Sequence, residues 1–186
     1  MKTSWTSARF LVIALLCIGA RGAHADGVDP RSAVSLRAKY DSLQNRLNRN
    51  QFQRPLYLES RETPDSVTGD IYARVDYPFA TVRAALNNPG DWCDILILHL
   101  NIKHCRASSG SQGTALNVSM GKKYDEPLDR AYRVDFAYRV ATQTPDYLQV
   151  RLNADTGPLG TRDYRIALEA VPLDAGRTFI RLSYSY

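Results

Sequence analysis

Residues 130–171 decide the fold, and they read RAYRVDFAYRVATQTPDYLQVRLNADTGPLGTRDYRIALEAV. Apolar and polar residues alternate along three parts of this stretch, at 132–140, 148–154 and 164–170. Alternation with a period of two places every apolar side chain on one face of a strand. The pattern therefore predicts three consecutive antiparallel strands in a sheet that has one apolar face and one polar face.

The sequence on either side of this stretch adds more strands and a few helices. Further strands are predicted at 55–62, 68–77, 102–107, 114–124 and 178–186, and two short helices are predicted at 79–87 and 91–98. An amphipathic helix is predicted at the amino-terminal side, within residues 31–50. The fold class expected from this order is α+β, with a curved antiparallel sheet and two short helices inserted after the first strands.

The first 25 residues have the features of a secretory signal peptide. Lys2 and Arg9 precede an apolar run at 10–18, and Ala23-His24-Ala25 offers a cleavage site flanked by small residues. The run is too short for a membrane span. We therefore expect the protein to be exported, to a periplasm or to the outside of the cell, with cleavage near Ala25.

Removal of this segment changes the charge balance of the protein. The full chain has 24 basic and 19 acidic residues, but residues 1–25 contain three of the basic ones and no acidic residue. The processed chain would have 21 basic and 19 acidic residues, a net charge of +2. A mildly basic protein gives no charge argument for nucleic acid, so no nucleic-acid partner is expected.

The segment 26–54 contains the predicted amphipathic helix, and its polar side is basic. That side carries one acidic residue, Asp41, and five basic residues, Arg31, Arg37, Lys39, Arg46 and Arg49. One interpretation is peripheral contact with an anionic membrane through these cations. The alternative is an ordinary solvated helix face.

Familiar catalytic and metal-binding motifs are missing from the processed sequence. Cys93, His99, His104 and Cys105 do not have the spacing of a zinc site. No catalytic residue, metal or cofactor is therefore predicted. In an oxidising compartment Cys93 and Cys105 could form a disulfide, and two separate buried thiols are the alternative.

Several short motifs resemble the START-like helix-grip superfamily, which includes START lipid-transfer domains and polyketide cyclase-like proteins. They are VDYPFATV at 75–82, NNPGDW at 87–92 and GPLGTRDY at 157–164. The resemblance covers residues 55–186. It implies a curved sheet that grips a long carboxy-terminal helix, with a hydrophobic molecule bound between them.

The end of the sequence departs from that pattern. The chain stops inside a predicted strand at Tyr186, and no helix follows it. Either the amino-terminal helix covers the apolar face of the sheet, or the sequence is a fragment that lacks its last helix. We expect the fragment, because otherwise apolar sheet surface would be left bare.

The predicted ligand site lies on the apolar face of the sheet. Arg162 and Lys122 share the strand phase of that face, so either could hold a polar headgroup, or both could reach water from strand ends. Aromatic residues supply much of the remaining face, and their hydroxyl groups would need hydrogen-bond partners: Tyr132, Phe136, Tyr138, Tyr164 and Tyr184. The expected function is binding, and in some form transport, of a hydrophobic small molecule such as a lipid. A cyclase- or hydrolase-like enzyme of the same fold, or a protein-interaction domain with a filled core, are the alternatives.

Overall fold

The computed structural model describes residues 32–186, which form three α-helices and one eight-stranded sheet. The helices are α1 (Ala33–Asn48), α2 (Phe79–Leu86) and α3 (Pro89–Leu96). The strands are β1 (Leu56–Thr63), β2 (Ser66–Val75), β3 (Ile102–Gly110), β4 (Gly113–Met120), β5 (Tyr132–Gln143), β6 (Leu148–Thr156), β7 (Arg162–Pro172) and β8 (Thr178–Ser185). Their order in the sheet is β1-β2-β8-β7-β6-β5-β4-β3, and every pair is antiparallel. The predicted α+β fold with a curved antiparallel sheet is confirmed.

Local sequence signals explain where the helices begin. Ser32 and Ser35 form a reciprocal capping box at the start of α1, which satisfies backbone N–H groups that have no partner within the helix. In α3 the side chain of Asn88 accepts a hydrogen bond from the N–H of Gly90, and Pro89 occupies the first helical position. The described part of α1 therefore begins at Ala33.

One face of the sheet, here called the inner face, packs against α2 and α3. It is the apolar face predicted from residues 130–171. Phe79, Val82 and Leu86 of α2 and Trp92 of α3 are buried against it. The strands contribute side chains with little or no exposure, including Leu116, Val134, Val150, Leu152 and Ala170. This cluster is the main hydrophobic core of the protein.

The opposite face, here called the outer face, is only partly polar. Tyr72, Tyr147, Val171 and Phe179 are buried there, beneath Leu36, Leu43 and Leu47 of α1. The expectation of one wholly polar face is therefore wrong at the place where α1 lies. The same packing means that α1 does not cover the inner face.

Strand β4 is shorter than the sequence pattern predicts. It ends at Met120 and not at residue 124. The N–H of Gly121 donates to the carbonyl of Asn101 at 2.7 Å, and the N–H of Lys122 donates to the Glu126 carboxylate at 2.8 Å. These local bonds replace the sheet hydrogen bonds that would continue the strand.

No helix among residues 32–186 is long and apolar enough to cross a membrane.

Candidate functional site

Part of the inner face is not covered by α2 and α3. We call it the open strip, and it consists of half-buried residues on three neighbouring strands: Ile71, Ala73, Tyr164, Ile166, Ile180, Leu182 and Tyr184. The strand register makes these residues neighbours, because Ile71 pairs with Leu182, and Tyr184 pairs with Ile166. The strip continues directly from the buried core, since Tyr164, Ile166, Ile180 and Leu182 pack against it. It is therefore an apolar surface that water still reaches.

Tyr164 lies at the aromatic end of the open strip, and several contacts hold its ring. The ring stacks on Tyr186 with centroids 5.0 Å apart, and it meets Phe136 edge-on at 6.1 Å. Its hydroxyl lies 2.8 Å from the hydroxyl of Thr161. The structure therefore brings two predicted site residues, Phe136 and Tyr164, into contact.

Two glycines leave space for tyrosine rings on this face. A Cβ atom on Gly157 would lie 2.2 Å from Cε2 of Tyr164, and one on Gly69 would lie 2.5 Å from Cζ of Tyr184. Neither distance is compatible with ordinary van der Waals contact. Each ring therefore lies on backbone that only glycine leaves open.

Tyr138 is held under the short helices, away from the aromatic end. Its hydroxyl donates to the carbonyl of Leu86 at 3.3 Å, and its ring lies edge-on to Trp92 at 6.5 Å. The indole N–H of Trp92 donates to the same carbonyl at 2.7 Å. Desolvation by burial raises the pKa of Tyr138. The predicted need for a hydroxyl partner is met by the protein itself at this position.

The two predicted cations lie at strand ends and are exposed. Arg162 begins β7 and lines a depression beside the β1–β2 turn. Lys122 follows β4 and lines a different depression, which also includes Tyr132. Both side chains can reach water, so neither is a buried charge that requires a partner. The structure does not bring Arg162 and Lys122 together.

Cys93 and Cys105 form a disulfide in the structure, with Cα atoms 5.1 Å apart. Cys93 belongs to α3 and Cys105 to β3, so the bridge ties the second short helix to an edge strand. It fixes one border of the surface that covers the inner face. Among residues 32–186 no three His, Cys, Asp or Glu side chains are grouped as metal ligands would be.

The outer face contains a polar network that the sequence analysis did not predict. The hydroxyl of Tyr147 donates to the Glu169 carboxylate at 2.6 Å, and Glu169 is 1% exposed. Arg181 lies 3.5 Å from the other Glu169 oxygen and donates to Asp70 at 2.8 Å. Asp70, Glu169 and Arg181 occupy polar positions in β2, β7 and β8, and Tyr147 directly precedes β6. Only the pairing of these strands shows that the four residues meet.

The ionisation of this network follows from its burial and its charges. Burial lowers the pKa of Arg181, but the hydrogen bond and charge of Asp70 outweigh it, so that pKa is raised. Desolvation is the largest cause that raises the pKa of Tyr72 to about 12. The network borders a polar depression of about 530 Å³ on the outer face. The network links neighbouring strands of the sheet, and its charged side chains are paired with one another.

The basic residues of α1 contact the sheet rather than forming a free cationic face. Arg37 donates to the carbonyl of Pro172 and lies 3.7 Å from Asp146. Lys39 and Arg46 lie 3.5 Å and 3.7 Å from Glu59. Arg31 lies outside the described residues. Three of the five predicted membrane-contacting cations thus have partners within the protein.

Comparisons with known proteins bear on the fold. No family model and no curated protein sequence matches this chain. Among solved structures, it is similar to a START superfamily protein from Mycobacterium smegmatis, at 13% identity and a TM-score of 0.46, covering 63% of this chain and 74% of that one. It is also similar to norcoclaurine synthase from Thalictrum flavum in complex with dopamine and hydroxybenzaldehyde, at 18% identity and a TM-score of 0.40, covering 66% and 70%.

The element order decides the fold assignment. Along the chain, a β-hairpin is followed by two consecutive short helices and then by an antiparallel meander. All eight strands form one sheet, in which β2 of the first hairpin pairs with the last strand, β8. The fold is START-like. The order of the helices and strands agrees with the fold that the resemblance to the helix-grip superfamily implied. Fold alone assigns no ligand.

Proposed function

We propose that this protein binds a hydrophobic small molecule, in the first instance a lipid, on the open strip of its inner face. The observation that carries the proposal is the strip itself. Its apolar side chains lie on three adjacent strands, remain half-buried, and continue the hydrophobic core without a polar boundary. Contiguous exposed apolar surface of this kind is typical of ligand-binding grooves.

The driving force would be the removal of apolar surface from water. Each aliphatic side chain that becomes fully covered contributes about 1.5–3 kcal/mol relative to exposure, and half-buried residues contribute a part of that. Three of them, Ile166, Ile180 and Leu182, lie on the adjacent strands β7 and β8. The aromatic end adds the ring of Tyr164, already fixed by Phe136 and Tyr186.

Few residues are candidates for contacting the polar end of the ligand. The hydroxyl of Tyr138 already donates to Leu86, so it is less available to a ligand. Arg162 and Lys122 are exposed at strand ends and could meet a headgroup outside the apolar surface. We place Arg162 first, because it begins the same strand that supplies Tyr164 and Ile166 to the strip.

Export is part of the proposal. A disulfide between Cys93 and Cys105 persists in oxidising compartments and is rare in the cytosol. The signal-like segment at residues 1–25 supports the same address, although it lies outside the described residues. A soluble carrier of lipid would be useful in such a compartment, and transport is the finer form of the proposed function.

The proposal can be tested with a fluorescent probe of apolar surface, 8-anilinonaphthalene-1-sulfonate, displaced by added fatty acid. A charge within the strip, Leu182→Asp, should abolish both the probe signal and its displacement. The matched control, Asn153→Asp, places the same charge on an exposed outer-face position of β6 and should leave binding unchanged. Thermal unfolding of both variants checks that they are folded. Equal probe binding by folded Leu182→Asp would refute the proposed location.

The enzyme alternative has no specific observation in its favour on the inner face. Tyrosine hydroxyls supply the polar atoms near the strip, and the buried carboxylate of Glu169 belongs to the opposite face. Proton transfer on the strip would need an acid or base placed within hydrogen-bond reach of a bound substrate. Recovery of the bound molecule unchanged after incubation would separate carriage from catalysis.

A further inference from the structure

Three loops meet at one end of the sheet, and together they form a surface that we call the loop end. They are residues 97–101 after α3, 121–131 between β4 and β5, and 157–161 between β6 and β7. The hydrogen bond from Gly121 to Asn101 joins the first two. Asn101, Tyr124 and Leu159 line a common depression of about 630 Å³, which brings in the third.

Large apolar side chains protrude from this end into solvent. Leu159 is 84% exposed, Leu98 is 81% exposed and Leu100 is 72% exposed. Tyr124 and Tyr132 are also exposed at the same end. Single exposed apolar residues are common on protein surfaces, but several on adjoining loops form a patch that normally marks an interaction site.

The backbone conformation of Leu159 is a second, independent feature of the loop end. Leu159 has φ 57° and ψ 28°, in the left-handed region that favours glycine. The following residue is Gly160, also with positive φ. The turn would be more stable with glycine at position 159, so the leucine side chain is not explained by the needs of the turn.

The charges of the loop end nearly cancel. Its loops contribute three cations and three carboxylates: Lys122, Lys123, Arg130, Asp125, Glu126 and Asp129. Lys103, at the start of β3, adds a fourth cation. Some of them make local contacts, since Lys103 donates to the carbonyl of Tyr124 and Glu126 accepts from the Lys122 backbone. A surface with protruding leucines, tyrosines and little net charge matches the boundary between lipid headgroups and acyl chains.

We propose that the loop end docks on a lipid bilayer, with Leu98, Leu100 and Leu159 inserted at the headgroup boundary. A bilayer fits better than a folded protein partner, because Leu98 and Leu100 project from one loop and Leu159 from another, on a surface whose charges nearly cancel. A protein partner would more often meet a continuous packed patch. The proposal does not require the open strip to bind a ligand.

The position of the loop end relative to the open strip predicts how the docked protein would be oriented on the bilayer. Thr161, in the third loop, lies 2.8 Å from the hydroxyl of Tyr164 at the aromatic end of the strip. Docking would therefore place this end of the strip, rather than α1, at the lipid surface. The opposite end of the sheet, where β2 meets the start of β8, would point away from the membrane.

The test is flotation of the full-length protein with phosphatidylcholine vesicles. Leu98→Ser combined with Leu159→Ser should lower the partition coefficient about a hundredfold, since removing one inserted leucine costs about tenfold. The matched control is Val34→Ser combined with Tyr77→Ser, which removes two exposed apolar side chains on α1 and beyond the end of β2. The control should bind like the parent. All variants keep the same amino terminus, so the difference in binding between them reports only the substituted residues.

A second variant separates docking from folding. Leu159→Gly relieves the left-handed leucine, so it should raise or preserve the unfolding temperature while lowering vesicle binding about tenfold. Adding phosphatidylglycerol should change binding of the parent only slightly, because the loop-end charges nearly cancel.

Three results would overturn the proposal, and the first two concern vesicle binding. One is equal vesicle binding by the parent and the double serine variant. The other is vesicle binding that depends strongly on phosphatidylglycerol and survives both leucine substitutions, which would assign the contact to the cations of α1. Self-association that is lost with the leucines, in a parent that does not bind vesicles, would likewise replace the bilayer with a second copy of the chain.

Discussion

Substituting Gly157 with alanine tests the geometry of the aromatic end of the open strip. The new Cβ atom would lie 2.2 Å from Cε2 and 2.9 Å from Cζ of Tyr164, so the ring must move. Movement breaks the hydroxyl contact with Thr161 and disturbs two ring contacts, with Phe136 and Tyr186. A hydrogen bond contributes about 1 kcal/mol, and an aromatic pair about 0.5–1.5 kcal/mol.

The backbone itself accepts the substitution. Gly157 has φ −142° and ψ −173°, an extended conformation available to alanine, and reduced chain entropy in the unfolded state returns about 0.4–1 kcal/mol. The expected net loss in the free energy of unfolding is therefore about 1–3 kcal/mol. Urea unfolding of the parent and the variant measures it directly.

A double-mutant cycle identifies the cause. In a Tyr164→Ala background the main clash is removed, so Gly157→Ala should cost less than about 1 kcal/mol. The variant should also weaken binding of the fluorescent probe in the otherwise unchanged protein. An equal cost in both backgrounds, or stabilisation of the parent by Gly157→Ala, would refute the reasoning about ring placement.

Three further predictions concern the disulfide, a buried tyrosine and the proposed headgroup contact. Replacing Cys93 and Cys105 with serine should lower the free energy of unfolding by about 3 kcal/mol under oxidising conditions, as expected for a loop of this size, and an unchanged urea midpoint would contradict it. The pKa of Tyr72 in the folded protein is raised to about 12, so the stability that its neutral hydroxyl contributes is full below the ordinary tyrosine pKa of 10.0 and is lost as pH rises towards 12. Absorbance titration should show a tyrosine that ionises late, and this signal should disappear in Tyr72→Phe. Arg162→Ala should weaken binding of a fatty acid more than binding of its uncharged methyl ester, with little change in unfolding temperature, whereas equal affinities for parent and variant would remove Arg162 from the site.

The inner face was predictable because it depends on local alternation. Val134, Phe136, Leu152 and Leu168 fall on one face in their own strands, and the structure buries all four. The break at residues 88–90 likewise marks the junction of α2 and α3, since Asn88 caps the second helix and Pro89 begins it. Such signals need only a few neighbouring residues.

The outer face could not be predicted in the same way. The face of the sheet that holds Tyr147, Val171 and Phe179 is polar at neighbouring positions in the sequence. These three residues are buried because α1, from a distant part of the sequence, packs over them. The contact of Glu169 with Tyr147 and Arg181 depends on the register of β6, β7 and β8. Alternation gives a strand its two faces but does not give the pairing between strands.

The candidate site was predicted in part. Phe136 and Tyr164 meet at the strip, whereas Tyr138 is held beneath the short helices and Tyr132 lies at the loop end. Lys122 leaves the strand phase because β4 ends two residues earlier. Which part of an apolar face stays open depends on where the short helices lie, and that is a property of the whole fold.

The most direct test of the central claim is photo-cross-linking with a fatty acid that carries a diazirine on its acyl chain. Peptide mapping should place the cross-links on β2, β7 and β8 at inner-face positions, around Ile71, Ile166 and Leu182. An excess of unlabelled fatty acid should suppress them. Cross-links confined to α1 or the outer face, or no saturable labelling of the strip, would contradict the proposal that the open strip binds a hydrophobic ligand.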